Sequence, residues 1–261
     1  MEEALAFLKY LPVSFKTRSE EEYVAFLWSA FESNHKTSKY EFASLAFHLL
    51  YMSFVSFSVW KIRIARKNDF GYALIGFQSD TEMDLLGADT PFKFYDRLKE
   101  SQIFRFLKVI GCGNEQVGEF AKFVKRRNKI AHPSGTVFFN DKNAIDEEIA
   151  QMLKEVVKIQ AHMVPIVLDV YGGFLLESAD PEGREYATTR EEIDANFIHK
   201  NYVSLEDINI CLTFDIARFE KDPNYVGIQE LHKALQSFGE SDLELKEHPI
   251  FPAASGDPVA G

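Results

Sequence analysis

The sequence predicts an all-α protein: a bundle of four to five helices over residues 1–174, a smaller, acidic and mainly helical extension over residues 175–248, and a disordered tail over residues 249–261. Three observations carry this reading. Apolar residues recur at helical spacing through long segments, Ser/Thr-x-x-Glu/Asp patterns supply helix starts, and charge is divided unevenly along the chain. Residues 1–174 hold 22 acidic and 22 basic side chains, and residues 175–261 hold 18 acidic and 7 basic, so the net charge of -11 lies entirely in the last third.

The helices follow in order. Ser19 with Glu22 is read as the first capping box, and Ser38 with Glu41 as the start of a long helix running toward Lys67, where Asn68, Asp69 and Gly71 are stop signals. Residues 42–60 of that helix carry no formal charge over nineteen positions, close to the length of a bilayer span. Ser44, His48, Ser53, Ser56 and Ser58 interrupt the run and favour a buried central helix over a membrane span. An irregular stretch over residues 71–91 precedes a third helix over 92–110, closed by Gly111 and Gly113. A fourth helix covers 114–131. A fifth covers 144–170, kinked at Pro165 and ended by Gly172 and Gly173. In the extension, Thr189 with Glu192 and Ser204 with Asp207 start shorter helices, and a last helix covers 226–238.

The chain is long enough for one substantial core, and its 24 Phe, 10 Tyr and 2 Trp make that core aromatic. Cys112 and Cys211 match no close metal-ligand spacing and are too few for a secreted disulfide framework, which points to a reducing cytoplasm. The N-terminus places acids where a secretory signal would carry basic residues, so it reads as mature protein.

The fourth helix carries the chemistry. At 100° per residue, Val117, Phe120, Ala121 and Val124 form its apolar stripe, and Lys122, Lys125, Arg126 and Lys129 fall on the opposite, solvated face. Arg127 falls between Phe120 and Phe123, and Asn128 continues the stripe. His132 ends the helix just before Pro133, which pushes it out of the α region. An Arg and an Asn among apolar residues are costly to bury without partners.

The run Arg127-Asn128-Lys129-Ile130-Ala131-His132 resembles the R-x4-6-H motif of the HEPN ribonucleases, in its R-N-x-x-x-H form. An Arg–His pair at one fixed spacing arises by chance about 0.3 times in such a composition, and requiring the Asn lowers this to roughly 0.01. The resemblance covers the motif and, more loosely, the helical layout of residues 1–174. It implies a HEPN-like bundle that dimerises so that both copies of the motif line one cleft, a metal-independent endoribonuclease of the toxin or antiviral-defence type, and an RNA substrate.

The chemistry suits these residue types. His132 is the candidate general base for the ribose 2′-hydroxyl, and Arg127 fits the part of the forked cation for the charge developing on phosphorus-bound oxygens. Asn128 either bonds a phosphate or fixes the loop that positions His132. Lys125, Arg126 and Lys129 are candidate RNA-binding residues beside the cleft. No cofactor and no metal is expected. The products are a 2′,3′-cyclic phosphate and a 5′-hydroxyl. Where nucleotidyltransferase-controlled HEPN toxins carry a modified Tyr two residues after the motif His, this chain has Ser134, so tyrosine adenylylation is not expected there.

The competing reading is a catalytically silent HEPN-like interaction module that binds a protein or nucleotide partner. A third is a membrane-associated helical protein spanning at residues 42–60. His48 is read as a satisfied core histidine, and His162 and His199 have no evident partner. The acidic third is expected to restrain the nuclease, by covering Lys125, Arg126 and Lys129 or by docking a regulatory protein or antitoxin.

Overall fold

The computed structural model describes residues 1–132, 135, 138 and 141–240, and the regular elements among these are all helical, with no strand. The helices are α1 (Glu2–Leu8), α2 (Arg18–Lys36), α3 (Tyr40–Ala65), α4 (Lys67–Ala73), α5 (Ser79–Leu86), α6 (Phe94–Arg97), α7 (Glu100–Ile103), α8 (Asn114–Ala131), α9 (Lys142–Glu177), α10 (Thr189–Glu192), α11 (Leu205–Leu212) and α12 (Tyr225–Glu240). The tail 249–261, residues 241–248, Pro133 and Ser134 lie outside the described residues.

Helix α3 is the central element, packed against α2, α8 and α9. Its uncharged run is what a helix surrounded by other helices requires, since every face meets apolar side chains. By length and composition α3 and α9 could each cross a membrane, but 83% of the apolar window of α3 is buried inside the fold. The core is aromatic, as composition predicts. Phe7 meets Phe47 at 5.2 Å, Phe47 meets Phe31 at 5.0 Å, and Tyr51 meets Phe123 edge-on at 5.6 Å, joining α1, α2, α3 and α8.

Several expected boundaries are corrected. The first box forms between Thr17 and Glu20, not Ser19 and Glu22; Glu22 instead pairs with Arg18 at the surface. Ser38 caps nothing and adopts a left-handed backbone, φ 59°. The expected helix over 92–110 is broken into a 3-10 turn (Pro91–Lys93), α6, α7 and a 3-10 segment (Phe104–Ile110), with Leu98 extended between α6 and α7. Residues 71–91 contain the ends of α4 and all of α5. Helix α9 runs through Pro165, Gly172 and Gly173 to Glu177. Gly172 is a packing site and no stop signal: a Cβ there would stand 3.1 Å from the ring of Phe214. The box at Ser204 and Asp207 forms as read, and the other lies one residue earlier than expected, at Thr188 and Glu191.

The largest correction concerns domains. A boundary at 174/175 would cut α9 and one continuous cluster of buried residues that extends from Ala4 to Phe238. The last third closes back on the first. Val13 N–H donates to Val203 C=O at 3.0 Å, Glu206 N–H to Lys9 C=O at 3.0 Å, and the Tyr202 hydroxyl to Glu20 at 2.8 Å. Beneath these contacts, buried Asp207 accepts from Lys61 of α3, from Gln160 of α9 at 2.8 Å and from the Ser204 amide at 2.9 Å. A carboxylate removed from water is tolerated only with such a set of donors.

Candidate functional site

Helix α8 forms over the interval expected of it, Asn114–Ala131, and His132 caps it with an extended backbone, φ -92° and ψ 141°. Its N-terminal half is pinned by the Tyr51 hydroxyl, which donates to Phe120 C=O at 3.2 Å, and by Gln116 against His162 of α9 at 3.0 Å. The helix is therefore held against α3 and α9 before its last turn begins.

That last turn carries the polar cluster. Arg127 Nη2 lies 2.5 Å from one oxygen of Glu100, and His48 Nε2 lies 3.0 Å from the other. Three elements converge on this carboxylate: α3 supplies His48, α7 supplies Glu100 and α8 supplies Arg127. His48 is fully buried, Glu100 is 14% exposed and Arg127 is 28% exposed, so the cluster passes from the core to the surface. Although burial alone would raise the Glu100 carboxyl, the donors His48 and Arg127 outweigh it and hold the group down at about 2. Arg127 Nε is buried with no partner, and the guanidinium makes no hydrogen bond to a second acceptor among the described residues.

His132 is exposed at the end of the helix, and neither it nor Asn128 makes a side-chain hydrogen bond among the described residues. Lys125 and Lys129 are exposed, as expected of the solvated face. Arg126 departs from that face. Its Nε lies 3.3 Å from Glu148 of α9, a buried carboxylate that also accepts from Ser44 at 2.8 Å and whose pKa burial pushes up. Arg126 thus clamps α8 to α9 and is only partly available to a ligand. No acidic residue of the last third pairs with Lys125, Arg126 or Lys129 among the described residues, so the expected masking of this basic face is not seen there.

The sequence reads His48 as a satisfied core histidine and does not single out Glu100. Contacts across 52 positions (His48 to Glu100) and 27 positions (Glu100 to Arg127) leave no local trace in a periodicity or a cap. His162 and His199, without a nameable partner in sequence, bind Gln116 and Ser14. Among the described residues no three His, Cys, Asp or Glu side chains gather as metal ligands.

The architecture defines an all-α protein with a buried His–carboxylate–Arg cluster opening at the C-terminal end of one amphipathic helix. Beyond that class, no family model, no curated protein and no solved structure matches the chain.

Proposed function

We propose that the chain is a cytoplasmic, metal-independent endoribonuclease of the HEPN type, with a composite site formed by Arg127 and His132 from two copies of the chain. The observation that carries the proposal is the placement of the motif. Arg127 is fixed by Glu100, its Nε has no partner among the described residues, and His132 stands five residues further on, exposed and released from the helix.

The chemistry follows from these groups. The imidazole of His132 takes the proton of a ribose 2′-hydroxyl as that oxygen attacks the adjacent phosphorus. The bond from phosphorus to the 5′-oxygen breaks, the cyclic phosphate closes, and the leaving oxygen takes a proton from the second copy's His132 or from water. Arg127 offers its free N–H groups to the phosphoryl oxygens as they gain charge. Lys125 and Lys129 contribute a screened, sequence-independent attraction for the backbone.

One observation favours the second reading, a silent helical interaction module. The Glu100 carboxylate neutralises Arg127 in the free protein, as a purely structural arginine would be neutralised. Incubating the protein with a 5′-end-labelled single-stranded RNA separates the two. Fragments with 2′,3′-cyclic phosphate ends support the nuclease, and intact RNA at high enzyme concentration supports the silent module.

A further inference from the structure

Glu100 has a second setting that the cluster with Arg127 does not use. It lines a cavity of about 630 Å³ between α2, α3 and the segment leading to α7, a volume within the range of small-molecule sites. Three aromatic rings, Tyr23, Phe92 and Tyr95, form much of its wall, with Leu49 and Met52 of α3. Tyr23 and Phe92 meet edge-on at 5.3 Å, so the two rings brace each other. The Tyr95 hydroxyl is occupied, donating to Met52 C=O at 2.8 Å and accepting from Ser56, so its ring is left as the apolar surface.

The charged part of the lining is of one sign. Glu20, Asp89 and Glu100 line the cavity, and no Lys, Arg or His does so among the described residues; Arg127 and His48 already engage both oxygens of Glu100, which leaves Glu20 and Asp89 as the carboxylates available to a ligand. Glu20 is buried and receives hydrogen bonds from the Tyr202 hydroxyl, the Thr90 hydroxyl and the Thr17 amide, yet it forms no salt bridge among the described residues. Asp89, next to Thr90, forms none either. Low-dielectric aromatic walls strengthen the field of these carboxylates inside the cavity, and aromatic faces attract cations in their own right.

We propose that this cavity is a binding site for a small organic cation with a flat aromatic body, an arylalkylammonium, whose ring lies among Tyr23, Phe92 and Tyr95 and whose ammonium meets Glu20 and Asp89. The site stands independently of the ribonuclease reading, because it requires only the cavity and its charge. An anionic ligand of the same shape is rejected by like-charge repulsion, and a neutral one loses the charge-assisted hydrogen bond.

Three probes that share an indole body test this: tryptamine, its neutral isostere tryptophol and its anionic isostere indole-3-acetate. Titration of the full chain at neutral pH by calorimetry is expected to give saturable 1:1 binding of tryptamine below about 5 mM. Tryptophol is expected to bind about tenfold or more weakly, and indole-3-acetate not detectably. Leu49→Trp fills the cavity from a part-exposed position and is expected to abolish tryptamine binding. Ser19→Trp, at an exposed lining position, serves if Leu49→Trp fails to unfold cooperatively. Absence of saturable tryptamine binding, equal affinity for the three probes, or undiminished binding to a folded, filled variant overturns the proposal.

Discussion

Arg127 reaches Glu100 at 2.5 Å, and through that carboxylate the exposed end of α8 is tied to the buried imidazole of His48. The contact fixes the orientation of the arginine and sets a single carboxylate against its permanent charge. Stability and site geometry therefore share a group.

The sign of the resulting pH dependence follows from the depressed pKa. Glu100 titrates at about 2 in the folded chain and near the ordinary carboxylate value of 4.5 when unfolded. Its contribution is fully present above about 4.5 and is lost as pH falls toward 2. Allowing for the solvent that reaches the cavity side of the carboxylate, the contribution is roughly 2 kcal/mol. Urea denaturation between pH 5 and pH 2.5 should show a steeper loss of stability for the wild type than for Glu100→Gln, and parallel slopes would remove Glu100 from this role.

Lys61 and Asp207 form the buried pair that joins α3 to α11. Lys61→Met keeps most of the side-chain volume but leaves the Asp207 charge with neutral donors only, which should cost about 3 kcal/mol. Thermal unfolding measures this. A loss below about 0.5 kcal/mol would show that Gln160 and the Ser204 amide satisfy the carboxylate unaided.

Truncation after Gly173 tests the integration of the acidic third. The cut falls inside α9 and removes Phe197, Tyr202, Ile208 and Leu231 from the common core. Loss of cooperative unfolding is expected, with exposed apolar surface that binds a hydrophobic dye. A truncated chain with an intact helical spectrum and a sharp transition would restore the boundary at 174/175.

How much of this was legible in the sequence depended on whether the deciding contact was local. Helix α8 was legible at both ends because glycines precede it, its apolar stripe has a single period, and Pro133 follows His132. The uncharged run in α3 announced a buried helix. The start of α2 was ambiguous, since Thr17/Glu20 and Ser19/Glu22 overlap. The first box forms, and Glu20 also bonds Thr90 and Tyr202, distant partners that no local rule can see. Composition misled on the domain boundary, because an excess of surface acid is compatible with an inward face that completes the same core. Arg127, Asn128 and His132 are singled out in the sequence by their spacing, whereas Glu100 and its bond to His48 arise only when three helices meet.

The proposed composite site requires association. A C2 homodimer with the two copies of α8 facing one another is expected by sedimentation, because one Arg127–His132 set leaves the attacking and leaving oxygens without separate proton-transfer groups. Mixed dimers of Arg127→Ala and His132→Ala subunits should be less active than wild type. An active monomer, or full activity in the mixed dimer, would place the whole site within one chain.

RNA cleavage by the single variants is the most direct measurement of the central claim. His132 is exposed and makes no side-chain hydrogen bond among the described residues, so His132→Ala should change stability by less than about 0.5 kcal/mol while lowering the cleavage rate by about 10² or more. Arg127→Ala should lower the rate to a similar degree, and EDTA should leave wild-type cleavage unchanged. Wild-type rates in a folded His132→Ala or Arg127→Ala protein, or activity abolished by EDTA and restored by a divalent metal, would contradict the account.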